Sequence, residues 1–347
     1  MFEHPAFDDH EQLIVARDPE SGLRALIGIH STVLGPAFGG CRMHRYGSED
    51  AALEDVLRLS RGMTYKAAIC DLPLGGGKAV IIGEPKQDKT PALLRSMARV
   101  IDGWHGRFVV ADDVGTTLAD LAVMRDVTPH TAAATLAAQQ PLAVTAYGVL
   151  AAMRAAVRRH LGWDSLSGLR VAVQGLGNVG FPLCGYLRRE GAELVAADLD
   201  RRRADRAHAA FGARIVPPDQ VLDQEVDVLS PCALGNVLDE VTAERIRARI
   251  ICGGANEQLS RPDIDRRLQD RGILYVPDYV ANAGGMIDFH QERLDDRPEA
   301  VLRAVARIGE ITTQLLDEAA LGGRTCKELA DARVRERLAA GRRARAA

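Results

Sequence analysis

Residues 71–81 read DLPLGGGKAVI, three glycines leading into Lys78. A phosphate-cradling loop of this look needs glycine five residues ahead of its Gly-Lys pair and Ser or Thr behind it. Leu72 and Ala79 hold those positions, so the stretch is not a nucleoside-triphosphate site. It suits proton transfer better. A lysine between GGG and AVII reads as buried, and burial lowers an amine's pKa toward a value usable by a base near neutral pH. Lys66, read as following a helix, and Asp113, at the end of a strand before Gly115, are the other candidate chemical groups of this region. Singly, each lysine would more often be a solvated surface residue. Asp112 and Asp113 adjoin on a strand and must face opposite sides, so only one can enter a cleft, and spacing does not say which.

A second pattern carries different chemistry. In RVAVQGLGNVGFPLCGYL, Gly175, Gly177 and Gly180 form GxGxxG between a strand and a helix. The first glycine permits the turn, the second lets backbone approach a pyrophosphate, and the third lets helix and strand pack closely. The phosphates would sit at the helix start. A strand, ELVAAD, then ends in Asp198, where an acid binds the ribose hydroxyls of NAD and repels the 2′-phosphate of NADP. Arg201–Arg203 could soften that preference, although a solvated helix start explains them as well.

These groups need a scaffold, and the chain is long enough for two domains at 347 residues. Hydrophobic content of 47% with 26% charged residues is that of a globular chain. A net charge of −3 gives no general attraction to nucleic acid or anionic membranes. No apolar run approaches the roughly 18 residues of a membrane span, and the acidic N-terminus lacks a secretion-signal layout. The six cysteines (41, 70, 184, 232, 252 and 326) show no metal-type spacing, so no metal site is expected and a reducing, cytoplasmic setting is.

Residues 24–33, 78–83 and 107–115 read as strands, with a helix capped by Ser48 between the first two. From about residue 142 a long helix, LAVTAYGVLAAMRAAVRRH, precedes strands RVAVQG, ELVAADL, VDVLSPC, RIICGGAN and ILYVPDYV in alternation with helices. That alternation predicts a parallel, doubly wound sheet. The fold class is therefore α/β in two domains: an N-terminal catalytic and oligomerisation domain, 1–130 plus about 318–347, and a Rossmann-type dinucleotide-binding domain, 131–317. Hinges are expected around 130–145 and within 285–320.

Taken together, LGPAFGGCRM, RLSRGMTYKAA, LPLGGGKAVIIG, ADDVGTT, VTAYGV, VAVQGLGNVG, SPCALGNV, GGANEQL and PDYVANAGG, in this order over roughly residues 24–290, resemble the amino acid dehydrogenases acting on glutamate, leucine, phenylalanine and valine. The leucine and phenylalanine branch is the nearest in pattern. The resemblance implies reversible oxidative deamination, in which an L-amino acid, NAD⁺ and water give a 2-oxo acid, NADH and ammonium. It assigns Lys66 to the substrate carboxylate, Lys78 to activating water, and Asp113 to proton exchange with the amine. Thr145, Asn256 and Asn282 match positions near the nicotinamide, Asn256 also bordering substrate. Leu176, Asn178 and Val179 in the glycine loop and Cys232 and Ala233 in SPCALGNV complete the cofactor set. It also implies a homo-oligomer. On this reading Gly75–Gly77 let substrate and nicotinamide approach the backbone beside Lys78, and substrate binds in a cleft between the domains.

Specificity follows from the position before Gly39 and Gly40. Glutamate dehydrogenases carry lysine there for the side-chain carboxylate. Here it is Phe38, which cannot compensate a buried carboxylate. Met63, Met286 and Phe289 match pocket-lining positions, so a branched-chain or aromatic side chain is expected, although Met and Phe at this spacing also suit plain core. Met286 and Phe289 share a helical stripe with His290 and Arg293. The segment before VTAYGV and the stretch GGMIDFHQER depart from the family pattern, with Asp288 more in keeping with a polar helix face than with a substrate contact. Rival readings are a silent paralogue sensing NAD or an amino acid, opposed by the intact Lys66, Lys78 and Asp113, and a glutamate dehydrogenase, opposed by Phe38. A 2-hydroxy acid dehydrogenase would need a His/Arg pair in place of the lysines.

Overall fold

The computed structural model describes residues 2–132, 143–233, 235–292, 294 and 297–346. The chain divides into two compact units, Met1–Pro141 with Val334–Ala347 and Leu142–Arg333. The first is built on a five-stranded sheet of order β1-β2-β4-β3-β5. Its strands are β1 (Gln12–Asp18), β2 (Leu23–Ser31), β3 (Ala37–His44), β4 (Gly75–Ile82) and β5 (Phe108–Asp112). β2 is antiparallel to β1 and β4, whereas β3 lies parallel to β4 and β5.

Helix α1 (Glu49–Ile69) covers one face. Ser48 caps it by accepting the Ala51 amide, and Glu49 and Asp50 suit the positive end of its dipole. Its Ala52, Val56 and Leu57 pack on Leu26 and Val80. Helices α2 (Pro91–Asp102) and α3 (Leu118–Arg125) cover the other face, with Leu94, Met97, Leu121 and Met124 against Ile27, Ala79, Ile81 and Phe108. Because Val80 faces α1 while Ala79 and Ile81 face α2, the two-residue period of β4 turns Lys78 toward α1.

The glycines ahead of Lys78 are strand residues crowded by protein. A Cβ on Gly75 would collide with Ser31 O, one on Gly76 with the backbone of Thr64 in α1, and one on Gly77 with the Phe108 ring at 2.8 Å. The expectation that they leave room for substrate and nicotinamide is corrected: the space is filled by α1, β2 and β5. Gly76→Ala should consequently cost about 1–3 kcal/mol or more, because the obstacle is backbone and cannot rotate away. Urea unfolding checks this; an unchanged midpoint would show that α1 is free to shift.

The second unit carries a six-stranded, wholly parallel sheet of order β11-β10-β9-β6-β7-β8. The strands are β6 (Arg170–Gln174), β7 (Glu193–Ala197), β8 (Arg214–Ile215), β9 (Val228–Pro231), β10 (Ile250–Ile251) and β11 (Leu274–Tyr275). Its helices are α4 (Val144–Ala156), α5 (Gly180–Arg189), α6 (Arg201–Phe211), α7 (Glu240–Arg245), α8 (Ile264–Asp270), α9 (Asp278–Ala281), α10 (Gly284–Glu292), α11 (Pro298–Gly322) and α12 (Cys326–Ala346), whose residues from Val334 cluster with the first unit. The winding direction reverses between β6 and β9. That switch point, at the C-terminal ends of the strands, is where open α/β sheets bind ligands. Among the described residues no helix is long and apolar enough to cross a membrane.

The unit boundaries differ from those read in the sequence. Thr131 and Ala132 stay with the first unit because Val110 donates to His130 O at 3.0 Å and Ala132 to Val110 O at 2.7 Å. Residues 318–333 stay with the second. There Thr325 donates to Asp265, Tyr279 Oη donates to Asp331 at 2.6 Å, and Arg266 pairs with Glu328 at 2.6 Å. The hinge expected around 130–145 falls largely on 133–142, outside the described residues, as do Leu142 of the expected helix and Arg293 of the expected stripe.

Candidate active site

Lys66 lies inside the last turn of α1 rather than after the helix. Met63 stands one turn before it, on the same side. A Cβ on Gly39 would collide with Gly77 O and meet Met63 Cγ at 3.4 Å, so β3 runs tight against both β4 and α1. Phe38 is buried two residues before Gly40 on the same strand. At Gly40 the strand touches the candidate chemistry directly: a Cβ there would stand 2.7 Å from Asp113 Cβ and 3.2 Å from Lys78 Nζ.

Lys78 Nζ lies 2.5 Å from Asp113 Oδ2, with side-chain exposures of 5% and 15%. The open choice between the two aspartates is resolved by the alternation of β5. Phe108 and Val110 enter the α2 core, so Asp113, an odd number of residues on, turns to the α1 face with Lys78, and Asp112 stays exposed. The turn after β5 fixes that aim. Thr116 Oγ1 accepts the Asp113 amide at 3.0 Å and donates to Cys41 O at 2.6 Å, while Gly115 takes a left-handed φ of 82° in a place where a Cβ would strike Met43 O.

Two further groups escaped the motif reading. Arg42 Nε donates to the same Asp113 Oδ2 at 3.3 Å, and its Nη1 donates to Asp55 Oδ2 at 2.9 Å. Burial alone would raise the Asp113 carboxyl, but the Lys78 ammonium and the Arg42 guanidinium, with bonds from Lys78 and the Val114 amide, hold it at about 2. Arg42 follows Gly40 by two residues inside LGPAFGGCRM, so reading residues 37–44 as a strand would have placed both on one face.

The second unit collects the expected cofactor residues. Gly175 has a φ of 88°, and a Cβ on Gly180 would collide with Gly175 O, as the turn and packing roles require. Above Gly177 a Cβ would meet, among the described residues, only Arg203 Nη1 at 3.7 Å, leaving the backbone approachable. Leu176 is buried, and its amide donates to Asp198 Oδ2 at 2.6 Å; the other carboxylate oxygen accepts the Asp200 amide at 2.8 Å. Arg203 Nη1 stands 4.0 Å from Asp198, exposed on the first turn of α6. Asn178 is exposed, whereas Val179 packs against Gly254.

Ala233 packs on Gly175, and Cys232 lies between Gly180 and Gly254 with its thiol raised by burial, so both support the loop. At the switch point Asn282 Nδ2 donates to Asn256 Oδ1 at 3.0 Å and to Gly254 O at 3.2 Å. Gly284 and Gly285 bring the start of α10 against Val144 and Thr145. Asn282 Oδ1 and Gln174 Oε1 are buried acceptors without a partner among the described residues. An approachable Gly177, an acid at the end of β7 and orphaned acceptors at the switch point fit a nicotinamide dinucleotide. Met286 is buried on α10, Phe289 is half-buried, and Asp288 is buried rather than on a polar face.

Comparison with known proteins agrees with both halves. Residues 10–130 match the family model described as Glu/Leu/Phe/Val dehydrogenase, dimerisation domain, and residues 139–202 and 199–302 match that of the glutamate/leucine/phenylalanine/valine dehydrogenases. The chain is 43% identical to the leucine dehydrogenase of Thermoactinomyces intermedius, covering 99% of this chain and 95% of that one. It is 40% identical to the phenylalanine dehydrogenase of Bacillus thermotolerans over 96% and 89% of the two chains. The crystal structure of L-tryptophan dehydrogenase from Nostoc punctiforme superposes with a TM-score of 0.78 at 38% identity, over 96% and 97% of the chains. With its two-unit α/β architecture and its dinucleotide-type glycine loop, this chain belongs to the Glu/Leu/Phe/Val dehydrogenase family, on the leucine and phenylalanine side.

Proposed function

We propose that the protein catalyses reversible, NAD-dependent oxidative deamination of a hydrophobic L-amino acid, giving its 2-oxo acid, NADH, ammonium and a proton. The buried Lys78–Asp113 pair against Gly40 is the observation that carries this reading. Lys66, on the last turn of α1, binds the substrate carboxylate. Asp113 exchanges protons with the substrate amine. Lys78 takes the proton of the attacking water and stabilises charge on the carbinolamine oxygen. Phe38 and Met63 give the substrate side chain an apolar surface in the first unit. NAD would supply the acceptor for the hydride of the substrate Cα. Gly177 offers it backbone at the pyrophosphate, and Asp198 repels a 2′-phosphate. The orphaned Asn282 Oδ1, with Asn256 and Thr145, receives the nicotinamide end.

The dimerisation-domain match over residues 10–130 supports a homo-oligomer. Among the described residues the six cysteines form no disulfide and five of them are buried, which supports a cytoplasmic setting. NADH formation measured with leucine, valine, phenylalanine, tryptophan and glutamate tests the assignment. The best hydrophobic substrate should exceed glutamate in kcat/KM by about 100-fold or more, and NAD should outperform NADP. Turnover with none of the five would sink it, and a preference for glutamate would overturn the role given to Phe38.

A further inference from the structure

The Lys78–Asp113 pair is backed by a line of polar groups across the α1 face of the first unit. Tyr46 Oη donates to Asp55 Oδ2 at 2.5 Å. Asp55 accepts Arg42 Nη1 on both oxygens, at 2.9 and 3.2 Å, and Arg42 Nε reaches Asp113 Oδ2 at 3.3 Å. Side-chain exposure is 14% for Arg42 and 26% for Asp55. We propose that Arg42 is a positioning residue that holds Asp113 as an anion in the resting enzyme, ready to accept a proton from the substrate amine, and that Asp55 and Tyr46 anchor its guanidinium so that it meets a single oxygen of that carboxylate. The proposal rests on the acid/base role assigned to Asp113 above.

Of the two cations on Asp113, only one carries a permanent charge. While Lys78 is the neutral amine that accepts the proton of water, the carboxylate lacks its nearest cation, and a buried carboxylate without one takes up a proton. Arg42 cannot be deprotonated and remains in place as the second cation. A free guanidinium would pair with a carboxylate through two parallel bonds and occupy both oxygens. Tied to Asp55 through Nη1, Arg42 approaches Asp113 through Nε alone. Asp55 sits on α1, the helix that also carries Lys66, so the same tether couples that helix to β3.

Among the described residues, Asp112 at the end of β5, its carboxyl raised chiefly by desolvation, and Cys41 of β3, its thiol pushed up to about 12 by burial, act on Asp113 and Lys78 from the α2 side of the sheet. His44 meets the Tyr46 ring edge-on at 5.1 Å, Arg58 pairs with Glu54 on α1, and Asp120 acts on Cys41 from α3.

Arg42→Met, Arg42→Lys and Asp55→Asn, with profiles of kcat/KM against pH on the best hydrophobic substrate, test the proposal. With Arg42→Met the acidic limb should move up by at least about one pH unit. Arg42→Lys should return the limb toward its original place, and Asp55→Asn should lower kcat/KM about tenfold without moving it. A purely structural role for Arg42 would lower melting temperature and kcat with the limb unmoved, and that outcome overturns the proposal. A readout independent of turnover is the Asp113 carboxyl resonance in protein carrying ¹³C-labelled aspartate, assigned by its loss in Asp113→Asn. It should stay ionised down to about pH 4 in the parent and take up a proton above that in Arg42→Met. Matching titrations refute the inference even if the enzyme is active. A moved titration in a protein that turns over no amino acid refutes the proposed function and leaves the inference standing.

Discussion

Replacing Lys78 by alanine is expected to lower kcat by about 10³-fold or more while leaving NADH affinity within about twofold. The chemical step needs a group that removes a proton from water and holds charge on the oxygen that forms. Lys78, 4% exposed, is the nearer of the two described cations on the acid/base candidate Asp113, at 2.5 Å against 3.3 Å for Arg42. General base catalysis by a positioned amine accounts for about 10²–10⁴ in rate, and loss of a cation at the developing oxyanion adds to that. NADH affinity should be spared because the residues assigned to the cofactor all belong to the second unit. Steady-state kinetics and fluorescence titration with NADH separate the two quantities. Substantial turnover by Lys78→Ala would move the base elsewhere, whereas a large loss of NADH affinity would show that Lys78 contacts the cofactor. Methylamine-type rescue of the variant would point to the missing amine rather than to a disturbed fold.

The second unit is largely legible because each central strand is a short apolar run bounded by turn residues, and α6 and α7 begin on the capping aspartates Asp200 and Asp239. VAV before QGLG and LVAA before DL can hardly be anything but parallel strands. The two-residue β8 and the edge strand β1 left weaker marks, the latter inside an acidic N-terminal stretch. The hardest element to read was β3. AFGGCRMH has two glycines at its centre and no apolar–polar alternation, so it shows as a motif and not as a strand. Arg42 therefore carries no mark of its own in the sequence, although it sits two residues from Gly40. The glycines before Lys78 illustrate a different limit. Sequence says that a Cβ is unwelcome, but only packing says that Thr64, Ser31 and Phe108 rather than a ligand do the excluding. The aspartate pair was likewise undecidable by spacing alone, since adjacent strand residues always point apart. The core alternation Phe108, Val110 decides it.

Asp113→Asn should abolish turnover and also destabilise the protein by about 3–5 kcal/mol, because it leaves the buried Lys78 ammonium without its carboxylate. Arg42 keeps Asp55 as a partner, so the loss centres on Lys78. The sign with pH follows from the carboxyl being held at about 2, below its ordinary value near 3.9. A depressed carboxyl contributes stability that is fully present above the unfolded value and is lost as pH falls through the folded one. The gap between parent and variant should therefore be constant above about pH 5 and narrow as pH drops toward 2. The double variant Lys78→Met/Asp113→Asn removes both charges and should regain much of the lost stability while regaining none of the activity. Denaturant unfolding of the parent, both single variants and the double variant between about pH 3 and 7 measures the coupling directly. If Asp113→Asn proves as stable as the parent at neutral pH, the pair is open to water rather than buried. If the double variant is no more stable than Asp113→Asn, the cost lies in Asp113's other bonds, through the Val114 amide and Arg42, and not in the stranded lysine.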